Sequence, residues 1–408
     1  MKFGPSLCFI GLCAVTAHAV ADISDVFKPF VSDSLSYDDN LFRQNSSVGH
    51  VTAILGNNEK IIKDDVINQA TVGTAVDYTL GRQRFNLNLS VSDNRFVNNS
   101  FLNNISSNDR AAWQWQFGKQ FSGDIGYAYT RAMAGFTNTS FFGLDMITGN
   151  NPFANLNYTW HPRWKSRVGI SWNDYQHSAS QRQNINWQYA TASLRVDYVT
   201  PSNNSLGLQY IFNDGNYPNR TWFVSPFVDN RYQQHDISTL LTWQITQKIR
   251  FNGSVGFVTR QNAHVSQRDY TSGTFNLALN WVPTDKTLLA ITVWRQLSSW
   301  ADVTASYVVT DGVSLSPMWQ ATPKLALTAK FSYSTLDYTG EGGVSNLTQG
   351  QRNDTLLNGQ MSLVYKPIPN AELSLSYQGG TRDTVNPPFG FPLDYTFNSV
   401  STSAMLKF

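Results

Sequence analysis

Apolar and polar residues alternate with a period of two along most of the chain. In the stretch 85–92 (FNLNLSVS) the odd positions are apolar and the even positions are Asn or Ser, and the stretches 110–117 (RAAWQWQF) and 325–334 (LALTAKFSYS) alternate in the same way. Successive side chains of a β-strand point to opposite faces. Each segment is therefore predicted to be a strand with one apolar face and one polar face.

Eighteen such segments are present, and the connections between them alternate in length. Five of the eight short connections contain proline, which has no backbone N–H to donate to a sheet. The long connections, which include 38–69, 132–152, 214–233 and 338–354, are rich in Asn, Gly and Ser. The predicted strands begin near Phe30, Ala70, Arg84, Asp109, Asp124, Phe153, Arg167, Tyr189, Ser205, Asp236, Ile249, Gly273, Thr287, Tyr307, Leu325, Leu356, Glu372 and Asn398.

Aromatic residues end the apolar faces at the short turns. The last apolar-face residue before each short turn is aromatic, and so is the last residue of the chain, although aromatics make up only 13% of the sequence. A row of rings at one height is typical of a membrane–water interface. The nine predicted interface residues are Tyr78, Phe117, Trp160, Tyr198, Trp243, Trp281, Trp319, Tyr365 and Phe408.

These features predict an all-β fold: a transmembrane antiparallel up-and-down β-barrel of about 18 strands, with short periplasmic turns and long extracellular loops. A β-propeller also repeats every ~40 residues, but each of its repeats holds four strands instead of two. A β-sandwich could show the same alternation, but it gives no reason for aromatic rings at one height. The barrel is the interpretation that accounts for both observations.

Composition agrees with a membrane barrel. Only 14% of the residues are charged, below the ~25% of a typical soluble domain. No stretch of ~20 apolar residues follows the first 20 positions, so a helical membrane protein is not expected. The net charge of +2 argues against a nucleic-acid partner.

The N-terminal segment is predicted to be a targeting signal. An apolar run, Leu7–Val15, is followed by small-residue cleavage sites that end at Ala21. Residues 1–21 are therefore expected to be a cleaved signal peptide, and residues 22–408 the barrel. Cys8 and Cys13 both lie in the signal, so the mature chain is expected to have no thiol chemistry.

The polar strand faces are predicted to line a water-filled lumen, since lipid cannot solvate them. The predicted lumen set holds eight basic and five acidic residues among many amides, which suits sugar hydroxyls and carboxylates. Each single residue is more simply explained as part of the wall. The predicted residues of the solute path are Arg84, Arg110, Arg167, Arg195, Arg250, Arg260, Lys330, Arg382, Asn86 and Asn88.

The sequence contains few patterns that are typical of catalytic or metal-binding sites. The sequence has no Gly-x-Ser-x-Gly, His-Glu-x-x-His or phosphate-loop motif, so no catalytic residue, metal or cofactor is expected. His177 and His235 are candidates for a serine–histidine site at the outer rim, although loop histidines are usually solvated. The cluster Asp38-Asp39-Asn40 could bind a cation, but a turn is the favoured interpretation.

Two segments of the chain resemble a known family. Residues 22–43 (DISDVFKPFVSDSLSYDDNLFR) and 80–85 (LGRQRF) resemble the EpsL-type outer-membrane proteins of exopolysaccharide biosynthesis, which are grouped with β-barrel porins. The last five residues, 404–408 (AMLKF), resemble the C-terminal assembly signal of outer-membrane barrels. The resemblance implies a role in moving an exopolysaccharide across the outer membrane. No 34-residue helical repeat is present, so any periplasmic scaffold is expected to be another protein.

The first hypothesis for function is passive export of an exopolysaccharide through the barrel in the outer membrane of a Gram-negative bacterium. Its expected partners are outer-membrane lipids, the exopolysaccharide, and periplasmic or inner-membrane export components. The long first loop could gate the lumen, although exposure at the surface is the favoured role. The alternatives are a diffusion porin for uptake of small solutes or oligosaccharides, an outer-membrane hydrolase, and a purely structural barrel.

Overall fold

The protein was analysed as a computed structural model, which describes residues 26–45, 61–137, 139, 141–221, 228–299, 305–340, 351–387 and 393–408. The predicted signal peptide, 1–21, lies outside the described residues. The eighteen strands are β1 (Phe27–Asp38), β2 (Asp65–Leu80), β3 (Gln83–Phe96), β4 (Asn104–Phe117), β5 (Phe121–Met133), β6 (Met146–His161), β7 (Trp164–His177), β8 (Trp187–Val199), β9 (Ser205–Asn216), β10 (Arg231–Thr246), β11 (Ile249–Asn262), β12 (Tyr270–Thr284), β13 (Thr287–Ser299), β14 (Tyr307–Thr322), β15 (Leu325–Thr339), β16 (Asn353–Tyr365), β17 (Ala371–Val385) and β18 (Tyr395–Lys407).

The strands form one closed antiparallel sheet. Each strand pairs with its neighbours in sequence, and β1 pairs with both β2 and β18, with Tyr37 opposite Val400 in the closing pair. Closure leaves no sheet edge with unpaired backbone groups, which lipid could not satisfy. The predicted 18-stranded barrel is therefore confirmed.

The two ends of the barrel differ in their connections. At one end the strands are joined by turns as short as two residues, for example Gly81-Arg82 and Pro162-Arg163. Gly81 and Gly118 have positive φ values of 61° and 64°, which only glycine adopts without strain. At the other end the connections include 39–64, 134–145 and 217–230. In outer-membrane barrels the short turns face the periplasm and the long loops face outward.

The strand register separates an outward apolar face from an inward polar face. On the outward face Tyr78 lies opposite Phe85, which lies opposite Trp113, and the ring centroids are 6.4 and 6.1 Å apart. All nine predicted interface aromatics lie on this face near the short turns, and eight of them are exposed, Phe117 at 77%. An apolar surface of this extent is stable only against lipid.

In three strands a polar residue interrupts the apolar face, and in each of them that residue has a hydrogen-bonding partner. Asp33 of β1 accepts a hydrogen bond from Asn68 at 3.0 Å. Asp311 of β14 accepts two from Arg295, at 2.7 and 2.6 Å. Asn398 of β18 accepts a hydrogen bond from the Tyr377 hydroxyl at 2.7 Å, and its side-chain amide donates to the Asp39 carboxylate at 2.9 Å. Pairing lowers the cost of placing each polar group on the outward face.

In the described part of the outer loops, three short 3-10 turns are present: Ser100–Leu102, Ser180–Ile185 and Ser266–Arg268. Within the described part of the chain, no helix has the length and apolar character needed to cross a membrane.

Candidate functional site

The inward face of the barrel holds every residue predicted to line the solute path. The register places the ten residues on the face opposite the aromatic row. Asn88, for example, lies directly across from Arg110, and Arg167 directly across from Arg195. Whether any of them contacts a solute remains a prediction. The structure divides them into exposed residues along the wall and two buried clusters at the outer mouth.

The exposed arginines are mostly held by acidic neighbours on the wall. Arg84 forms an ion pair with Asp77, in which the Arg84 Nε donates to the carboxylate at 2.7 Å. Arg195 Nε donates to the carboxylate of Asp197 at 2.7 Å. Arg250 and Lys330 are exposed to the lumen as well. Ion pairs this exposed contribute little to stability, but they place fixed charges along the path.

An aromatic ring also supports a lumen cation. The Arg110 guanidinium lies over the ring of Phe153, 4.4 Å from its centroid. Such stacking contributes about 0.5–1 kcal/mol at exposed sites and fixes the orientation of the guanidinium.

The first buried cluster lies on the inward face of β15–β17, near the outer mouth. Arg382 and Arg352 both donate to the carboxylate of Asp354, and Tyr338 donates to the same carboxylate at 2.9 Å. Arg382 is 2% exposed and Asp354 is 0% exposed. Two guanidinium groups on one carboxylate satisfy the hydrogen bonds of the buried ions and leave a net positive charge.

The third outer loop, 134–145, extends from β5 to this cluster. The Arg382 Nη1 donates to the Thr137 carbonyl oxygen at 2.7 Å. Five strands separate β5 from β17 around the barrel, so the loop passes across the mouth instead of following the rim. At its other end, the Asp145 carboxylate bonds to His177 Nδ1 at 2.6 Å and lies 3.4 Å from Arg182. Both ends of the loop are therefore fixed to the inward face.

A hydrophobic cluster packs between the loop and the wall. Phe42, Ile61 and Phe136 come from the first and third loops, and they pack against Phe96 and Leu102. All five are at most 7% exposed. Phe42 and Ile61 of the first loop are thus buried, whereas most other described residues of that loop are half-buried. Whether the loop lies exposed at the surface or gates the lumen stays a prediction. Residues 46–60, which include the charged pair Glu59-Lys60, lie outside the described residues.

The second buried cluster lies where the loop 217–230 meets β10–β12. The Arg260 guanidinium stacks on the ring of Tyr232 at 3.3 Å, and Arg220 stacks on Tyr217 at 3.8 Å. Arg220 also donates to the Asp229 carbonyl oxygen at 3.0 Å. Arg260 is 5% exposed and Arg220 8% exposed, so both cations are largely desolvated.

The two candidate histidines of the hydrolase hypothesis do not form a common site. His177 lies on the inward face, paired with Asp145, whereas His235 lies on the outward face and bonds to the Tyr210 hydroxyl at 2.7 Å. Among the described residues, neither histidine is hydrogen-bonded to a serine hydroxyl. These two histidines therefore lie on opposite faces of the barrel wall, each with a partner other than serine.

The Asp38-Asp39-Asn40 cluster is a turn, as the sequence favours. The Asp38 carboxylate accepts a hydrogen bond from the backbone N–H of Asn40 at 2.9 Å and forms an ion pair with Arg43. In the described ranges, no group of three or more His, Cys, Asp or Glu residues could hold a metal ion.

Sequence patterns missed most residues of the outer mouth. Thr137, Asp145 and Arg220 lie in loops, where alternation gives no information about which side chain points inward. Asp354 and Arg352 lie at the start of β16, and the sequence does show that they flank a strand end. Nothing in the sequence indicates that β17 and the third loop meet.

Solved structures with the same architecture are outer-membrane proteins. The outer-membrane protein OpdK from Pseudomonas aeruginosa is similar with a TM-score of 0.52 and 10% identity, over 94% of this chain and 100% of that chain. OpdQ from the same organism is similar with a TM-score of 0.51 and 13% identity, over 93% and 99%. OccAB4 from Acinetobacter baumannii is similar with a TM-score of 0.52 and 9% identity, over 94% and 98%.

The chain has the fold of an outer-membrane porin. Together with the apolar outward face, this confirms the predicted barrel and its location in the outer membrane of a Gram-negative bacterium. No protein-family model matches the chain, and no curated protein matches it. The resemblance to EpsL-type proteins therefore has no support beyond the residues that suggested it.

Proposed function

We propose that the protein is a diffusion channel that admits small polar solutes through the outer membrane. The observation that carries this proposal is the third outer loop, which crosses the mouth between His177 and Arg382. A loop fixed inside the mouth leaves less cross-section for a solute than the open cylinder of an 18-stranded barrel. Small solutes are compatible with that geometry, and a thick or branched polymer is much less so.

The polar wall is suited to weak, repeated contacts. The wall offers many weak hydrogen bonds along the path. They come from amides such as Asn86 and Asn88 and from the ion-paired arginines Arg84 and Arg195. Transport requires sites that bind favourably enough to admit a solute and weakly enough to release it. We propose that the channel works in this way, without covalent chemistry and without a cofactor.

A structural neighbour supports the proposal that the solute is small. OpdK of Pseudomonas aeruginosa, one of the barrels of similar fold, has also been crystallised with vanillate, a small organic molecule. At 11% identity the likeness concerns the fold, and it supports the view that a barrel of this architecture can accommodate such a molecule.

Exopolysaccharide export is the second candidate. It rests on the resemblance of residues 22–43 to EpsL-type proteins and on the polar lumen. The exopolysaccharide and the periplasmic or inner-membrane export components would then be partners. Outer-membrane lipids would surround the barrel under both candidate functions. The loop across the mouth weighs against this candidate, because a polymer would have to displace the hydrogen bond between Arg382 and Thr137.

Liposome swelling with purified, refolded protein tests the proposal. We expect neutral mono- and disaccharides to enter, and oligosaccharides of increasing length to enter progressively more slowly. The absence of solute flux with a correctly folded barrel would contradict a diffusion channel. Loss of surface polysaccharide with build-up in the periplasm of a deletion strain would instead support export.

A further inference from the structure

Three largely buried arginines line a small cavity at the outer mouth. The cavity has a volume of about 20 Å³, and its lining includes Arg220, Arg260, Arg268 and the carboxyl-bearing Asp229. Arg231 also lines it, but its guanidinium forms an ion pair with Asp214. The Asp229 carboxylate is already engaged: it accepts hydrogen bonds from the backbone of Val265 at 2.8 Å and from the side chain of His264. The local charge around the cavity is therefore clearly positive.

One polar group of the cavity lacks a partner among the described residues. The Nε of Arg260 is buried, no described residue forms a hydrogen bond with it, and Arg260 is 5% exposed. An unsatisfied donor on a buried cation is costly, because it has lost water without gaining an acceptor. Burial also lowers the pKa of Arg220 from its ordinary value, and the charge of Arg260 adds to that lowering. Both observations indicate a place for an anionic acceptor.

The volume of the cavity indicates which kind of anionic group fits in it. One water needs roughly 10–15 Å³ of such space, so a cavity of about 20 Å³ holds one or two oxygen-sized groups. A planar carboxylate has two oxygens and suits paired donors on a guanidinium. A tetrahedral phosphate has four oxygens, of which this space holds only one or two.

A polar groove adjoins the cavity on the inward face. Tyr232 lines both spaces, and the groove has a volume of about 450 Å³. Its other lining side chains are mostly amides, hydroxyls and one acid; among them are Asn173, Thr191, Gln234 and Asp236. Amides and acids hydrogen-bond well to alcohol groups, and the face of a tyrosine packs against the C–H groups of a sugar ring.

We propose that the cavity and the groove together bind a small hydroxylated carboxylate of the sugar-acid type, with the carboxylate between Arg220 and Arg260. This inference rests on the proposed diffusion function for access of the solute, and it names the class of solute that the channel retains longest. The body of the solute lies in the groove and hydrogen-bonds to Gln234 and Asp236.

Current recordings from the full barrel in planar bilayers test the inference, with D-glucuronate as the probe and D-glucose as the neutral counterpart. We expect glucuronate, but not glucose, to interrupt the current. In the variants Arg260→Gln and Arg220→Gln the dissociation constant should rise at least about tenfold, because a hydrogen bond to a charged group is lost. Arg163→Gln removes the same charge from an exposed periplasmic turn, and we expect it to bind glucuronate like the wild type.

Calorimetric titration of glucuronate into the protein in detergent gives a second measurement that does not depend on conduction. A conducting channel whose affinity for glucuronate is the same in Arg260→Gln as in the wild type would overturn the inference and leave the diffusion channel intact. Inorganic phosphate binding as tightly as glucuronate would overturn the carboxylate assignment. A barrel that binds glucuronate but carries no current would overturn the proposed function and leave the binding site intact. Heat-modifiable migration in gels confirms that each variant is folded.

Discussion

The Arg382 guanidinium on β17 donates a hydrogen bond of 2.7 Å to the backbone carbonyl of Thr137, a residue 245 positions earlier in the chain. The contact joins the wall to a loop that follows β5, and five strands lie between β5 and β17 around the barrel. It involves a backbone oxygen, so the identity of residue 137 matters less than the position of the loop. The hydrogen bond therefore fixes the first part of the loop to the wall at β17.

Removal of this arginine should widen the mouth. In Arg382→Gln we expect a larger single-channel conductance and a loss of about 3–5 kcal/mol in the free energy of unfolding, because Asp354 loses one of two buried cationic partners. Arg295→Gln is the matched control, since it breaks a two-hydrogen-bond ion pair with Asp311 on the outward face. Unchanged conductance in Arg382→Gln would show that the loop does not limit the pore.

A new charge should lower the free energy of unfolding much more on the outward face of a strand than on its inward face. Leu89 lies on the outward face of β3, 40% exposed, and Asn88 lies next to it on the inward face. We expect Leu89→Arg to cost about 2–4 kcal/mol when the residue lies near the bilayer centre, and Asn88→Arg to cost little. Denaturant titration in lipid vesicles, followed by tryptophan fluorescence, measures both. Equal costs would contradict the assignment of lipid and lumen faces.

A glycine on the wall makes room for the ring beneath Arg260. A Cβ atom at Gly215 would lie 2.0 Å from the ring of Tyr232, whereas a Cβ atom at Gly359 would meet Phe331 at an ordinary 3.5 Å. We expect Gly215→Ala to displace the tyrosine and to cost about 1–3 kcal/mol, the usual range for overpacking. Gly359→Ala should be nearly neutral by comparison. Similar melting temperatures for the two variants would show that the ring moves without cost.

Asp229 should keep the loop 217–230 in place to unusually low pH. Burial would raise the pKa of Asp229, but hydrogen bonds from His264, Arg231 and Val265 outweigh burial and hold its pKa below the ordinary value. Its contribution to stability is therefore complete above the unfolded pKa of about 3.9 and is lost as the pH falls through the lower folded value.

Hydrogen exchange tests this pH dependence. The backbone amides of His264 and Val265 donate to Asp229, and we expect them to be protected at pH 5 and to lose protection only below the ordinary carboxylate pKa of about 3.9. In Asp229→Asn the protection at pH 5 should be weaker. Protection that disappears already near pH 5 in the wild type would contradict a lowered pKa.

Much of the barrel could be predicted from the sequence. The two-residue alternation assigned the strands and their faces, and all eighteen predicted segments overlap strands of the structure. The aromatic residues before the short turns marked one end of the barrel, from Tyr78 to Phe408, and every one of them lies on the outward face. Alternation and turn residues are local properties, so neighbouring positions in the chain were enough to reveal them.

The outer mouth could not be predicted in this way. The sequence placed Arg260 and Arg382 on the inward face, but it gave no sign that both are buried or that Arg382 meets Thr137. Those contacts exist because closure of the sheet brings β17 within reach of a loop that follows β5, and because Phe42 and Phe136 pack together there. Alternation determined which residues face water inside the barrel. Only the closed tertiary structure decided which of those residues are covered by loops, because that depends on contacts between residues far apart in the chain.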